Sequence, residues 1–320
     1  MLPFLFFAAL SHAAPFAPVI GPARAKLQGE GSIAEVLERV SAPLVGKPYQ
    51  LGPLGEGDTL PLYRLDVFDC TTFVETVMAN AFCYPAGRAE CLEREMEQIR
   101  YRGKIPAFRD RNHVPELDWL PNNEHRGFLK DLHATLFPGE WREAVPKFDR
   151  AAWLALKGEI NPGPNPKPVP LHYIAVSFFF SKKLLTPQEE KALGAKLTAS
   201  DEVAGGETDK DEAARIKFRG ELTYLRAAYE PIEERLQQIP PGTVLNLVHA
   251  PLKDPKKAKV TPLITHQGLI VRGKDGLRIR HAAPNVGHVS DQPLADYLLR
   301  YVRSANYRGI SLFQVQAPKK

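Results

Sequence analysis

Phe68-Asp69-Cys70-Thr71-Thr72-Phe73-Val74-Glu75-Thr76-Val77-Met78-Ala79-Asn80-Ala81-Phe82 is the stretch on which the reading of this chain turns. Phe73, Val74, Val77, Met78 and Ala81 fall at i, i+1, i+4, i+5 and i+8, one apolar stripe of a helix running from Cys70 to about Phe82. Asp69 stands where an N-cap belongs, so Cys70 is the first helical residue. A thiol there faces unpaired backbone N–H groups and the positive end of the helix dipole, and both favour the nucleophilic thiolate. It still needs a base to react quickly at neutral pH.

Working outward, Ser32 to Val40 carries an N-cap and helical spacing of Ile33, Val36, Leu37 and Val40. The Gly/Pro-rich run from Gly46 to Gly57 is a loop, and Leu60 to Val67 reads as extended. Downstream, helical segments are expected at Cys91 to Arg100 and Phe128 to Thr135, separated by a polar loop from Tyr101 to Arg126. A helical piece near Phe148 to Leu156 leads into Asn161 to Pro170, where proline at every second residue dictates extended chain. Tyr173 to Phe180 reads as a strand. Thr186-Pro187-Gln188-Glu189 is a capping box opening a helix to about Leu197, and Ser200 to Lys210 is polar and expected to be mobile. From Pro240 the pattern turns to strands: Thr243 to His249, Leu263 to Val271, Leu277 to Ala282, and an edge strand at Gly309 to Val315. Helices first and strands afterwards predict an α+β fold, the Cys70 helix packed on a mostly antiparallel sheet.

The strands supply the candidate base. Gly273 to Gly276 joins two of them as a hairpin, which brings His266 and His281 nearly opposite each other. One histidine can then orient the other through a ring-nitrogen hydrogen bond, as the third member of a triad does. Each residue alone has a plainer account. An isolated cysteine is more often a small buried hydrophobe than a nucleophile, and an inward histidine is more often a satisfied core residue.

Composition narrows the class. The chain has 320 residues, 42 Lys+Arg against 37 Asp+Glu, 44% hydrophobic residues and 29 prolines. That suits a globular protein rich in turns and excludes collagen, coiled coil and wholesale disorder. No stretch after the first dozen residues approaches the roughly 20 apolar residues of a membrane span. Met1 to Leu10 followed by Ser11-His12-Ala13-Ala14 reads as a secretory signal cleaved after Ala13, although the usual basic residue before the apolar core is missing. Of three cysteines, Cys83 and Cys91 flank a turn; a disulfide between them and two buried free thiols both fit. His113, His125 and His133 lack metal-ligand spacing and there is no Cys-x-x-Cys, so no metal and no cofactor is assigned. No phosphate loop or basic, aromatic-interleaved pattern points to nucleic acid. The lysines between Lys253 and Lys259 read as a solvated tip.

The string from Phe68 to Thr76 resembles the nucleophile helix of NlpC-type cysteine peptidases, the bacterial papain-like cell-wall hydrolases. More narrowly it resembles their N-acetylmuramoyl-L-alanine amidase-like branch. Further similarities follow in order: Lys47-Pro48-Tyr49; Ile99 to Arg102, then Arg111, Asp118-Trp119, Asn123 and Arg126-Gly127; Ile239 to Val244; Thr265 to Ile270; and Arg280 to Ala283. They span roughly residues 32–135 and 221–315, and residues 140–220 have no counterpart. Thr243, Gln267 and Ala283 depart from the residues common in the family, which bears on substrate fit but removes no catalytic group.

The resemblance implies a single papain-like domain over residues 30–320 with an insertion at about 140–220. It implies an exported enzyme of the periplasm or cell envelope that acts on peptidoglycan or muropeptides. Cys70 would be nucleophile, His266 base and His281 orienter, with Tyr49, Asp69, Arg111, Trp119 and Asn123 at the substrate. The bond between the lactyl group of N-acetylmuramate and L-Ala is the expected target. The D-Glu–diamino acid bond is the alternative within the same fold, and a non-catalytic wall-binding module the alternative outside catalysis.

Overall fold

The computed structural model describes residues 31–55, 62–84, 89–103, 107–193, 221–250 and 252–318. The expected leader at 1–13, the polar stretch 200–210 and residues 194–197 of the helix opened by Thr186 lie outside them.

Local chemistry sets the first two helices. In α1 (Ile33–Ser41), the Glu35 N–H donates to Ser32 Oγ and the Ser32 N–H to the Glu35 carboxylate, a reciprocal capping box. In α2 (Cys70–Phe82), the Thr72 N–H donates to Asp69 Oδ1 at 2.8 Å and the Asp69 N–H to Thr72 Oγ1 at 2.9 Å. The apolar stripe of α2 is buried as its spacing predicts, yet Glu75, Thr76 and Asn80 on its other sides are buried too. The helix is enclosed on every side because α3 (Ala89–Arg100) and the segment 107–125 wrap what the sequence reading left to solvent.

A six-stranded antiparallel sheet carries most of the rest. Its strands are β1 (Leu129–Asp131), β6 (Thr243–His249), β7 (Ile264–Gly273), β8 (Gly276–Ala283), β9 (His288–Pro293) and β10 (Tyr307–Val315). Their order across the sheet is β1-β10-β6-β7-β8-β9. Alternation divides the side chains between two cores. Val244, Leu269, Val271, Ala282 and Phe313 face α1 and α2. Leu245, Leu247, Ile270, Ile279 and Leu312 face the helix Leu294–Leu299 and part of the central region.

Several elements depart from expectation, each through tertiary pairing that periodicity does not report. Residues Gly309 to Val315 lie inside the sheet, not at its edge, because Leu129 to Asp131 adds a further strand beside β10. That strand, followed by a short helix His133–Leu136, replaces the helix expected from Phe128 to Thr135. The expected polar loop from Tyr101 to Arg126 contains a wide π-type turn at Pro115–Trp119 and a helix at Leu120–His125, with Leu117, Trp119 and Leu120 buried. Residues 62–67 form no strand. The strand expected at Tyr173 to Phe180 is broken into β3 (Leu171–Tyr173), a tight turn at Val176–Phe179 and β4 (Phe180–Lys182). β3 pairs with β2 (Arg142–Ala144), and β4 with β5 (Tyr229–Pro231).

The central region is docked on the sheet. The N–H groups of Ile174 and Ile310 donate to each other's carbonyls, both at 2.9 Å. Gly309 permits that approach, since a Cβ there would lie 2.0 Å from the Ile174 carbonyl oxygen. Cys83 and Cys91 are joined as a disulfide, their Cα atoms 5.7 Å apart, which leaves Cys70 as the free thiol. Among the described residues no helix is long and apolar enough to cross a membrane.

Candidate active site

The pairing of β7 with β8 runs from the hairpin to Leu269 and Arg280 and stops there. Beyond that point His266 and His281 meet: His266 Nε2 and His281 Nδ1 are 2.6 Å apart. His266 is 9% exposed and His281 2%. Gly268 lies between them on the same face. A Cβ at Gly268 would come within 3.0 Å of the His281 Cβ and 2.8 Å of the Ile279 side chain, so the close seat of His281 depends on that glycine.

The first turn of α2 reaches the same place. The backbone N–H of Gln267, next to His266, donates to the Cys70 sulfur. Thr71 Oγ1 donates to Gln267 Oε1 at 2.7 Å, and Gln267 Nε2 donates to Asn246 Oδ1 at 2.8 Å, tying the helix start to β7 and β6. Among the described residues no hydrogen bond joins Cys70 directly to His266. Tyr49 and Tyr297 both stand in the electrostatic neighbourhood of the thiol.

Burial shifts the charge states at the site. Burial pushes the Cys70 thiol up to about 12, and the Asp69 carboxylate adds to the shift. Hydrogen bonds from Gln267 and Thr71 oppose the rise without overcoming it. Cys70 as a residue keeps some exposure, but protein atoms crowd the sulfur, and removing water from an anion outweighs a few donors. Burial thus works against the thiolate that the helix start favours, and the thiol proton still has to pass to a base, as the sequence reading expects. Burial pulls His266 down to about 4. Burial pulls His281 further, to about 2, helped by the neighbouring His266 and the positive Arg300. Burial, then Cys70 and Asp69, hold the Tyr49 phenol up at about 12.

Beside the first turn of α2 opens a groove of about 550 Å³, whose lining includes Asp69, Thr71 and Thr72 but not Cys70, His266 or His281. Arg111, Trp153 and Lys157 line it as well. Its floor is the buried pair of Arg100 and Glu75, in which Arg100 Nε and Nη2 lie 2.8 and 2.5 Å from Glu75 Oε2. Arg111 donates to the Gly55 carbonyl at 3.2 Å and lies over the Tyr101 and Phe108 rings.

Two residues expected at the substrate are elsewhere. Trp119 and Asn123 are both 0% exposed. Trp119 Nε1 donates to Glu75 Oε1 at 3.0 Å, and Asn123 Nδ2 donates to the carbonyls of Ile99 and Trp119. They brace the groove floor from behind, where substrate has no access. Sequence reading missed Trp153 and Lys157, because nothing in the local pattern of residues 148–157 shows what the helix Arg150–Leu156 packs against. A buried ion pair holds that helix: Arg150 Nε lies 2.8 Å from Asp118 Oδ2.

A second cluster tests for a metal. Ligand atoms of Asp131, His133 and His172 lie within 4.8 Å of one another. His133 Nε2 accepts the Leu312 N–H at 3.2 Å, which puts the imidazole proton on Nδ1, 2.6 Å from Asp131 Oδ1. A nitrogen bearing a proton cannot ligate. The cluster fits a hydrogen-bonded network and does not fit a metal site.

Comparison with known proteins agrees with this architecture. A family described as AmiA-like, N-acetylmuramoyl-L-alanine amidase-like, matches residues 39–304. A Legionella pneumophila protein carrying the family label DUF1460 superposes with TM-score 0.67 at 23% identity, covering 90% of this chain and 91% of its own. A Bacteroides uniformis N-acetylmuramoyl-L-alanine amidase superposes with TM-score 0.57 at 17% identity, covering 89% and 100%. No curated protein matches the sequence. At such identities the superpositions speak for the fold alone, whereas the family match extends over most of the sequence: the chain belongs to the AmiA-like, N-acetylmuramoyl-L-alanine amidase-like family.

Proposed function

We propose that this chain is a cysteine amidase of peptidoglycan, of NlpC-type papain-like fold, that cleaves the amide between the lactyl group of N-acetylmuramate and L-Ala. The observation that carries the reading is the 2.6 Å contact of His266 with His281, beside the strand position that donates to the Cys70 sulfur. Family membership supplies the substrate class. Export of the chain, with residues 1–13 as leader, belongs to the same reading, as does a single hydrolase domain elaborated at about 140–220.

Because thiol and imidazole both rest neutral, the proton moves during attack and not before it. As the sulfur bonds to the carbonyl carbon, its proton passes to His266, and the backbone N–H of Cys70 at the helix start receives the oxyanion. Collapse breaks the C–N bond, and the leaving amine takes that proton from His266. Water then attacks the thioester, giving a proton to His266 that returns to the sulfur as the acid departs. Tyr49, Asp69 and Arg111 line the approach.

Mass spectrometry of muropeptides digested with the purified protein tests this, because the new chain ends identify the bond. Release of L-Ala amino termini by the native chain, and none by Cys70→Ala, is expected. New diamino-acid amino termini would assign the D-Glu–diamino acid bond instead, and equal digests from both proteins would leave only a wall-binding role.

A further inference from the structure

His281 Nε2 lies 2.6 Å from Gln292 Nε2, and Gln292 Oε1 lies 2.6 Å from the Arg300 guanidinium. A guanidinium only donates, so the Gln292 atom facing Arg300 is the carbonyl oxygen and its NH2 faces His281. An amide NH2 also only donates. His281 Nε2 is therefore the bare nitrogen, and its proton sits on Nδ1, directed at His266 Nε2. His266 then accepts at Nε2 and, when neutral, carries its own proton on Nδ1. That nitrogen has no hydrogen-bond partner among the described residues and is the one left to serve the site. With a proton on it, His266 has no lone pair with which to take another.

We propose that Gln292 and Arg300 are positioning residues that hold the two histidines in the tautomer in which His266 is not a base, and that turning over the Gln292 amide arms the site. When the amide rotates, Oε1 faces His281. The His281 proton then resides on Nε2 and is donated to Oε1, the His266 proton resides on Nε2 and is donated to His281 Nδ1, and His266 Nδ1 is bare. No proton is gained or lost. Arg300 opposes the turn, since it would then face an NH2 group. Ser290 Oγ, 3.3 Å from His281 Nε2, suits either arrangement because a hydroxyl donates or accepts. Tyr297, from the helix before Arg300, packs against both rings and lies in the field of Cys70, which in turn has Asp69 and Tyr49 in its own surroundings.

The inference rests on His266 as base to Cys70, but its test reads the thiol, not the reaction. Gln292→Glu places a carboxylate that accepts from Arg300 and from His281 Nε2–H together, which enforces the armed tautomer and favours imidazolium beside thiolate. In the full chain Cys70 is the free thiol, so iodoacetamide alkylation against pH reports it. Gln292→Glu is expected to raise the rate at pH 6 on the order of tenfold, one pKa unit of added thiolate. Arg300→Met, which only releases the amide, is expected to move the profile the same way by less. Profiles of either folded variant that superimpose on the native one overturn the proposal, and Arg300→Met decides should Gln292→Glu not fold. A shifted profile without muropeptide release by any form keeps the relay and ends the amidase reading.

Discussion

Asp69 works in two ways that pull against each other. Its carboxylate caps α2 through the Thr72 N–H and also accepts the Gly52 N–H at 3.3 Å, so it starts the helix that presents Cys70 and shapes the groove lip. Its negative charge one residue away also raises the thiol pKa. Asp69→Asn separates the two effects. Asn caps about as well as Asp, so the thermal midpoint is expected to change little, the altered contact to Gly52 costing a few tenths of a kcal/mol. Removal of the charge lowers the Cys70 pKa, and iodoacetamide labelling at pH 8 is expected to quicken severalfold. An unchanged labelling rate would show that burial alone sets the thiol.

At the scale of elements, the groove is held by buried charges on different segments. Glu75 on α2 takes Arg100 from α3 and the Trp119 indole, and Asp118 takes Arg150 from the helix Arg150–Leu156. Arg150 also donates to the carbonyls of Arg109 and Arg111, which ties the far groove wall to the residues that carry Arg111. Both members of the Asp118–Arg150 pair are 0–1% exposed. Removing one partner leaves the other charge buried and uncompensated, which costs about 3–5 kcal/mol. Arg150→Met is expected to lower the urea midpoint accordingly, and to raise KM for muropeptides more than it lowers kcat, because Trp153 and Lys157 ride on that helix. Equal losses of kcat and kcat/KM would instead place the helix in the chemical step.

Over the whole molecule, the buried histidine pair couples stability to pH. An exposed histidine titrates at 6.5, whereas burial holds His266 at about 4 and His281 at about 2 in the fold. Between about 6.5 and 4 the unfolded chain therefore binds more protons than the folded one, and stability falls as pH falls through that window. Burial raises Glu116 to about 7 and Asp118 to about 6, which works the other way, so the readout is a difference: between pH 7 and pH 4.5 the native urea midpoint is expected to lose ground against that of His266→Gln. A native midpoint that follows the same pH course as that of His266→Gln would mean the pair is hydrated.

Periodicity and capping made α1 and α2 legible, together with the strands Thr243 to His249, Leu263 to Val271 and Leu277 to Ala282, because their signals are carried within a few residues. The hairpin register was legible for the same reason: a four-residue turn and strict alternation put His266 and His281 on one face. Residues that pair with distant partners were not. Leu129 to Asp131 is a strand only because β10 lies beside it, and Trp119, rated a substrate contact, is core because Glu75 accepts its N–H. The thiol's ionisation likewise belonged to the tertiary structure. A helix start favours thiolate in any sequence with that cap, but desolvation depends on what folds over the sulfur, and here it pushes the thiol up. Local order came from neighbours in the chain; burial, and with it charge and tautomer, came from neighbours in space.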